Sequence, residues 1–386
     1  MVKGFSFLLI LISVFASCTV RNYQPQSPAS KSAWALLPFV KADAANPILV
    51  PDTDLVFRNP ILNESVQWAA KDVFNPATVV RNDTVFLLFR AEDTIGKYAG
   101  TSRIGLAYST DGLHFTKYFT PVLYPENDAY KKWEWEGGCE DPRVVQDEAG
   151  TCYMTYTAYN GDKAILMVAT STNLYQWQKH GPVFADAYGG KYANFWSKSG
   201  AIVSTYESGK IVATKINNKY WMYWGDQNIW AATSDDLIHW TPVLNTTNEN
   251  ISEELQRGIA QKAPELKVVF GPRKGKFDSD LVESGPPAMI TNEGIVLIYN
   301  SRNIPAIGDT SLLEGTYAAG QVLIDKSDPT KVIDRLDHYF IKPDKPYELS
   351  GQVNNVCFVE GLAQLHGKWF LYYGTADAKI AVAVKE

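Results

Sequence analysis

Only four cysteines and five histidines occur in the 386 residues. The histidines are scattered and no CxxC or paired Cys/His spacing exists, so no catalytic metal is indicated and no cofactor is expected. Apart from Cys18, the cysteines are Cys139, Cys152 and Cys357, an odd number that gives no complete disulfide framework; one disulfide stays open as an alternative. No basic run is present and the net charge is −6, which argues against nucleic acid and against an anionic membrane surface as partner. Low-complexity tracts are absent, helical periodicity is almost absent, and beyond the N-terminus no apolar stretch is long enough to cross a bilayer.

The N-terminal MVKGFSFLLILISVFASC places Lys3 before an apolar stretch from Phe5 to Phe15, then Ala16, Ser17 and Cys18. That order is similar to a bacterial lipoprotein signal. Residues 1–17 are expected to be a signal peptide, Cys18 the lipidated first residue, and 18–45, with QPQSPASKS, a polar tether. The expected location is the bacterial cell envelope, with membrane contact only through the lipid anchor.

What the chain has in excess is aromatic residues, 13% of positions, with 11 Trp and 21 Tyr. Aromatic faces stack on the apolar faces of sugars, and they also fill β-rich cores. Strand-like runs recur: VFLLF from Val85, CYMTY from Cys152, KYWMYW from Lys219, IVLIY from Ile295 and WFLYY from Trp369. Their starts lie 67, 67, 76 and 74 residues apart. Each follows a short apolar segment (NPATVV, EDPRVV, SGAIVS, GPPAMI, NVCFVEG) and precedes another (IGLAYS, AILMVAT, IWAATS, AAGQVLI, IAVAV). Three of the latter run into a polar turn and an aromatic, as STDGLHF, STNLYQW and TSDDLIHW, the signal of a β-hairpin. Five such units predict an all-β fold, a five-bladed β-propeller over residues 46–386, rather than a β-sandwich with coincidental spacing.

In a propeller the first strand of each blade lines a central channel, so five strand starts converge on one mouth. Asn75, Glu140, Asp141, Lys198, Glu283 and Glu360 lie at or near such starts. Several carboxylates beside arginine and aromatics suit glycoside cleavage. There one carboxylic acid protonates the departing oxygen and another carboxylate activates water or attacks carbon. The candidate acids are Asp93, Glu140, Asp141, Asp226, Glu283 and Asp377, each with an alternative reading as a turn cap or a hydrogen-bond acceptor between blades. Asp141 stands out because Pro142 holds the preceding backbone extended. In an extended segment Glu140 and Asp141 point to opposite sides, so only one would face a given pocket. Arg143 shares the parity of Asp141 and either holds an anion or the aglycone, or bridges to an adjacent blade.

Taken in order, FNPA from Phe74, FRAED from Phe89, SRIGLAYSTDGLHF, GGCEDPRV, KSGAIV, ESGPPA, DPTKVI and YYGTAD resemble glycoside hydrolase family 130 across about residues 45–386. The resemblance implies a five-bladed propeller acting with inversion on β-mannosides, as a mannoside phosphorylase or a β-1,2-mannosidase. It implies Asp141 as general acid, relaying its proton through a sugar hydroxyl. Asn75, Arg90, Asp93 and Asp377 would hold the sugar in the cleaved subsite. Arg143 and Lys198 correspond to the anion site of the phosphorylases. Those enzymes usually carry a histidine where this chain has Asn300 in IYNSRN, a departure that counts against phosphorolysis, with Arg302 nearby as a partial substitute. Among hydrolytic members the water-activating acids correspond to Glu283 in LVESGPPA and Asp226 in MYWGDQN. Glu283 is expected to be the base, with the shorter Asp226 positioning the water. The expected partner is a mannose-containing oligosaccharide. The alternatives are a phosphorylase, or a carbohydrate-binding lipoprotein without catalysis. The stretch between Asn245 and Lys267 is expected to be an added loop on the third blade, covering the site or simply solvated.

Overall fold

The β-branched and aromatic runs form strands, and only two four-residue helices, Lys131–Glu134 and Pro346–Leu349, occur among the described residues. The structure, a computed structural model, describes residues 1, 32–98, 100–207, 209–245 and 263–386. Cys18 and most of the stretch between Asn245 and Lys267 lie outside the described residues, so the lipidation site and the added loop fall there too.

After a two-stranded hairpin of Asp52–Asn59 and Glu64–Ala69, five larger antiparallel sheets follow one another along the described residues. The first comprises Asp72–Arg81, Thr84–Glu92, Ser102–Ser109 and Thr116–Lys117. The second comprises Gly138–Gln146, Cys152–Tyr159, Ala164–Ser171 and Gln178–Pro182. Ala201–Glu207, Tyr220–Trp224, Ile229–Ser234 and Trp240–Pro242 form the third. In the fourth, the first strand is split into Leu281–Ser284 and Ala288–Ile290, followed by Ile295–Arg302, Tyr317–Ile324 and Val332–Arg335. The fifth contains Cys357–Leu365, Lys368–Thr375 and Lys379–Lys385, and its outer edge is completed by Val40–Lys41. Residues 34–41, expected to belong to a polar tether, are therefore held against the sheets. Trp34 donates to Asp334, Leu36 exchanges two hydrogen bonds with Gln321, and Val40 pairs with Val384.

Local chemistry accounts for the hairpins. Arg81 pairs with Thr84 across Asn82 and Asp83, whose φ angles of 49° and 54° make the twisted two-residue turn that Asn and Asp tolerate. Asn217 and Asn218 do the same, at 53° and 62°.

Five apolar clusters lie between successive sheets. Leu88 and Ala77 meet Val144 and Met154 between the first and second, and Val145 and Leu166 meet Ile202 and Trp224 between the second and third. Val203 meets Leu297, Ile298 meets Val359, and in the last cluster Ala363 and Tyr372 of the fifth sheet meet Val73 and Leu87 of the first.

The repeat also carries a polar device. Tyr156, Tyr299 and Tyr373 occupy matching places on second strands, and each hydroxyl donates to a fully buried acid: Glu134, Asp278 and Glu348, at 2.8, 2.8 and 2.9 Å. A cation from the outer strand completes each trio, namely Lys179, Arg335 and Lys41. Buried charge is tolerated here because it is both paired and hydrogen-bonded. Cys139, Cys152 and Cys357 are buried free thiols.

Candidate active site

The starts of the inner strands are where the backbone leaves ordinary strand geometry. Register shifts fall between Phe74 and Pro76, between Glu140 and Arg143, and between Val359 and Gly361. Asn75, Asp141 and Ser199 take φ of 49°, 47° and 58°, a conformation that costs most side chains roughly 1–2 kcal/mol and that Asn and Asp accept most readily. These bulges aim side chains away from the pleat. They also overturn the parity expectation: Glu140 and Asp141 do not diverge, because the bulge turns both toward Arg90. Gly374 of YYGTAD leaves the room this needs, since a Cβ there would lie 2.3 Å from Asn75 Oδ1.

Asp141 sits at the centre. Asn75 Nδ2 donates to its Oδ1 at 3.0 Å, Arg90 Nη1 lies 3.3 Å from the same oxygen, and Lys198 Nζ lies 3.9 Å from Oδ2. Burial works against its charge, but Arg90, Lys198 and the Asn75 amide hold the carboxyl below its usual range. Arg90 also meets Glu92 at 2.7 Å and Glu140 at 3.0 Å, and lies over the Phe74 ring. Burial pushes Glu140 up to about 7, and does the same to Asp377, whose charge Arg90 and Asp141 influence.

Lys198 links the two halves of the cluster. Its ammonium is 3.4 Å from Glu283 Oε1, so the Glu283 and Asp141 oxygens lie no further apart than its two contacts together allow. Burial raises the Glu283 carboxyl above its ordinary value, Lys198 opposes this, and nearby Asp226 adds to it. Ser199 Oγ donates to Glu283 Oε1. Trp196 Nε1 donates to Asp226 Oδ2 at 2.9 Å, whereas Asp226 Oδ1 has no partner among the described residues. Asn75, Arg90, Asp141, Lys198, Glu283, Asp226 and Asp377 are thus brought into one electrostatic cluster. Ser199, Glu92 and Trp196 join it unforeseen; the first two stood inside quoted motifs, KSGA and FRAED, but sequence alone does not tell which neighbour of a strand start turns inward.

Two residues expected to contact ligand are committed to the protein instead. Asp93 accepts from the backbone amides of Ile95 and Thr101 and pairs with Arg103 at 2.6 Å, at 1% exposure. It clamps the loop after its strand. Arg143 donates to the carbonyls of Ser284, Gly285 and Asp141 and lies 3.5 Å from Glu360, so it braces the second sheet against the fourth and fifth. Neither Glu360 oxygen has a hydrogen-bond partner among the described residues, and burial raises its carboxyl well above the usual range, against the opposing pull of Arg143. Asn300 is fully buried and exchanges both hydrogen bonds with the Val359 backbone, a contact between sheets rather than with a ligand. Arg302 pairs with Asp280.

Asp93→Ala should therefore act on folding rather than on substrate. It leaves Arg103 buried and unpaired, and a melting curve should record about 3–5 kcal/mol of lost stability, while the KM of the surviving fold stays near that of the parent. A raised KM with unchanged stability would return Asp93 to the binding site.

The family model described as beta-1,4-mannooligosaccharide phosphorylase matches residues 43–386. A 1,2-beta-oligomannan phosphorylase from a Thermoanaerobacter species is 30% identical over 329 residues, covering 83% of this chain and 92% of that protein. The crystal structure of a glycosyl hydrolase from Bacteroides ovatus is 45% identical, with a TM-score of 0.85 over 92% of this chain and 95% of its own. A further structure comes from work on glycoside hydrolases, within a family of mannoside phosphorylases, that target beta-1,2 mannosidic linkages in Candida mannan. It is 44% identical, with a TM-score of 0.85 over 92% of this chain and 95% of that one.

Proposed function

The chain belongs to glycoside hydrolase family 130, and from that premise we propose that it hydrolyses β-mannosidic bonds, β-1,2-linked ones above all, with inversion at the anomeric carbon. The observation that carries hydrolysis over phosphorolysis is the state of the cations. Arg90 is shared among three carboxylates, Lys198 lies between two, Arg143 is taken up by three carbonyls and Glu360, and Arg302 is paired with Asp280. A phosphate dianion needs basic groups free to receive it. Water needs a single carboxylate acceptor.

In this reading the five sheets are the blades of a propeller, a reading supported by the ring of apolar clusters that ends where it began. Glu283 takes a proton from water, whose oxygen bonds to the anomeric carbon on the face opposite the leaving group. The bond from that carbon to the glycosidic oxygen breaks, and the departing oxygen receives the Asp141 proton, passed through a sugar hydroxyl. Asp141 is ionised while Arg90 and Lys198 face it. A mannoside that draws those cations to its own hydroxyls raises the proton affinity of Asp141, which takes up a proton from solvent as the complex forms, and the proton gained by Glu283 returns to solvent after turnover. Asp226 orients the water through its unpaired oxygen, and Asn75, Arg90 and Asp377 hold the mannosyl hydroxyls. Lipid attached at Cys18 would keep the enzyme at the cell envelope, where free mannose is a usable product.

Protein lacking residues 1–18, incubated with β-1,2-mannobiose with and without phosphate, should release free mannose in both cases. Mannose 1-phosphate formed only with phosphate would make the enzyme a phosphorylase, the activity named for its Thermoanaerobacter relative.

A further inference from the structure

The turn that leads to the outer strand is repeated almost atom for atom in three sheets. Asp111, Asn173 and Asp236 each accept from the two backbone amides that follow, at 2.8–3.0 Å. In the first and third sheets the acid also pairs with a histidine, His114 at 2.7 Å and His239 at 2.8 Å. The second sheet departs from the pattern. Its turn reads STNLYQW, so Asn173 and Gln176 replace the acid and the histidine, and Tyr175 stands where the other two turns carry Leu113 and Ile238. The geometry is kept while the charge is removed.

This altered turn forms one wall of a cleft of about 480 Å³, whose other wall is the edge of the first sheet at Tyr118 and Tyr124. The volume falls in the range of small-ligand sites, roughly 300–1,000 Å³. Tyr118 and Tyr175 meet edge to face at 5.1 Å, Trp177 is fixed by its own hydrogen bond to the Leu174 carbonyl, and Tyr175 is 40% exposed. None of the hydroxyls of Tyr118, Tyr124 and Tyr175 is hydrogen-bonded within the described residues. No residue of the catalytic cluster lines this cleft, which belongs to outer strands and their turns.

We propose that the cleft is a second carbohydrate site, which holds a distal stretch of the mannan chain from which the catalytic centre releases its product. The two charged residues of the lining, Glu126 and Lys179, are engaged with each other, and Lys179 also with Asp128 and Glu134. The remaining aromatic faces, uncharged amides and free hydroxyls match a neutral polyol, which offers apolar C–H faces and a rim of hydroxyl groups. A charged ligand would instead call for the ion pairs that this turn has lost. The choice of mannan rests on the mannoside reading above; the presence of a sugar site rests on the cleft.

The test is affinity electrophoresis of the full folded protein through gels containing β-mannan, beside hydrolysis of β-1,2-mannobiose. Tyr175→Ala and Gln176→Ala should weaken retention by the polymer about tenfold, the effect of losing one stacked ring or an amide pair. Both variants should keep the parental kcat and KM on mannobiose, because neither residue belongs to the catalytic cluster. Equal retention of parent and variants would overturn the second site, as would a parent that the polymer does not retard. Failure to cleave mannobiose, with retention that still depends on Tyr175, would remove the catalytic reading and leave the cleft standing.

Discussion

Asp141→Asn should lower kcat on β-1,2-mannobiose by roughly 10³-fold, within the range that positioned proton donors contribute. The isosteric amide keeps the place between Asn75, Arg90 and Lys198 but has no proton of the required acidity to give. The loss should shrink with an aryl β-mannoside, whose leaving group departs without protonation. That dependence separates an acid from a residue that merely shapes the site. Stability should change with a defined sign. The pKa of Asp141 in the folded protein lies below its ordinary value of 3.8, so its ion pairs add stability above that pH and lose it as the pH falls through the folded value. Asp141→Asn should therefore melt lower than the parent at pH 7, and the gap should close in strong acid. An unchanged kcat on mannobiose would remove Asp141 from the acid role.

Glu283→Ala should be about as damaging, roughly 10²–10⁴-fold in kcat, because the attacking water loses its proton acceptor. Azide, which needs no deprotonation, should restore turnover in this variant and yield the mannosyl azide of inverted, α configuration. Asp226→Asn should lose far less, since it leaves Glu283 in place with Lys198 and Ser199. If azide rescues neither variant, and Glu283→Ala lowers stability as much as activity, Glu283 is a structural partner of Lys198. Azide rescue of Asp226→Asn alone would move the base to that residue.

Much of the molecule was legible before any coordinates. Period and composition disclosed five strand units, because a strand must alternate or bury branched and aromatic side chains wherever it occurs. The motifs around Asn75, Arg90, Asp141, Lys198, Glu283, Asp226 and Asp377 marked residues that do converge. Where the reading failed, the failures share a cause. Asp93 reads by its motif as a sugar ligand and Arg143 either as a ligand contact or as a bridge between blades, yet a buried charge takes whichever partner its surroundings place nearest. For Asp93 that partner is Arg103, and for Arg143 it is the Ser284 and Gly285 carbonyls of the fourth sheet, with Glu360 of the fifth nearby. The parity argument for Glu140 and Asp141 assumed a regular pleat, and the bulge at Asp141 removes it. Asn300, which stands where the phosphorylases usually carry a histidine, clasps the Val359 backbone, a partner that residue type does not disclose.

By itself, then, the sequence determined the all-β class, the fivefold recurrence and most of the clustered acids, Asp141, Glu283, Asp226 and Asp377 among them, since these depend on short-range pattern and side-chain chemistry. Only the tertiary structure decided which cations remain free, which acids are raised or lowered, and that the turn at Asn173 faces an aromatic cleft. Each of those depends on groups far apart in the chain meeting at a few ångströms, where burial and pairing, rather than residue type, set the energy of a charge.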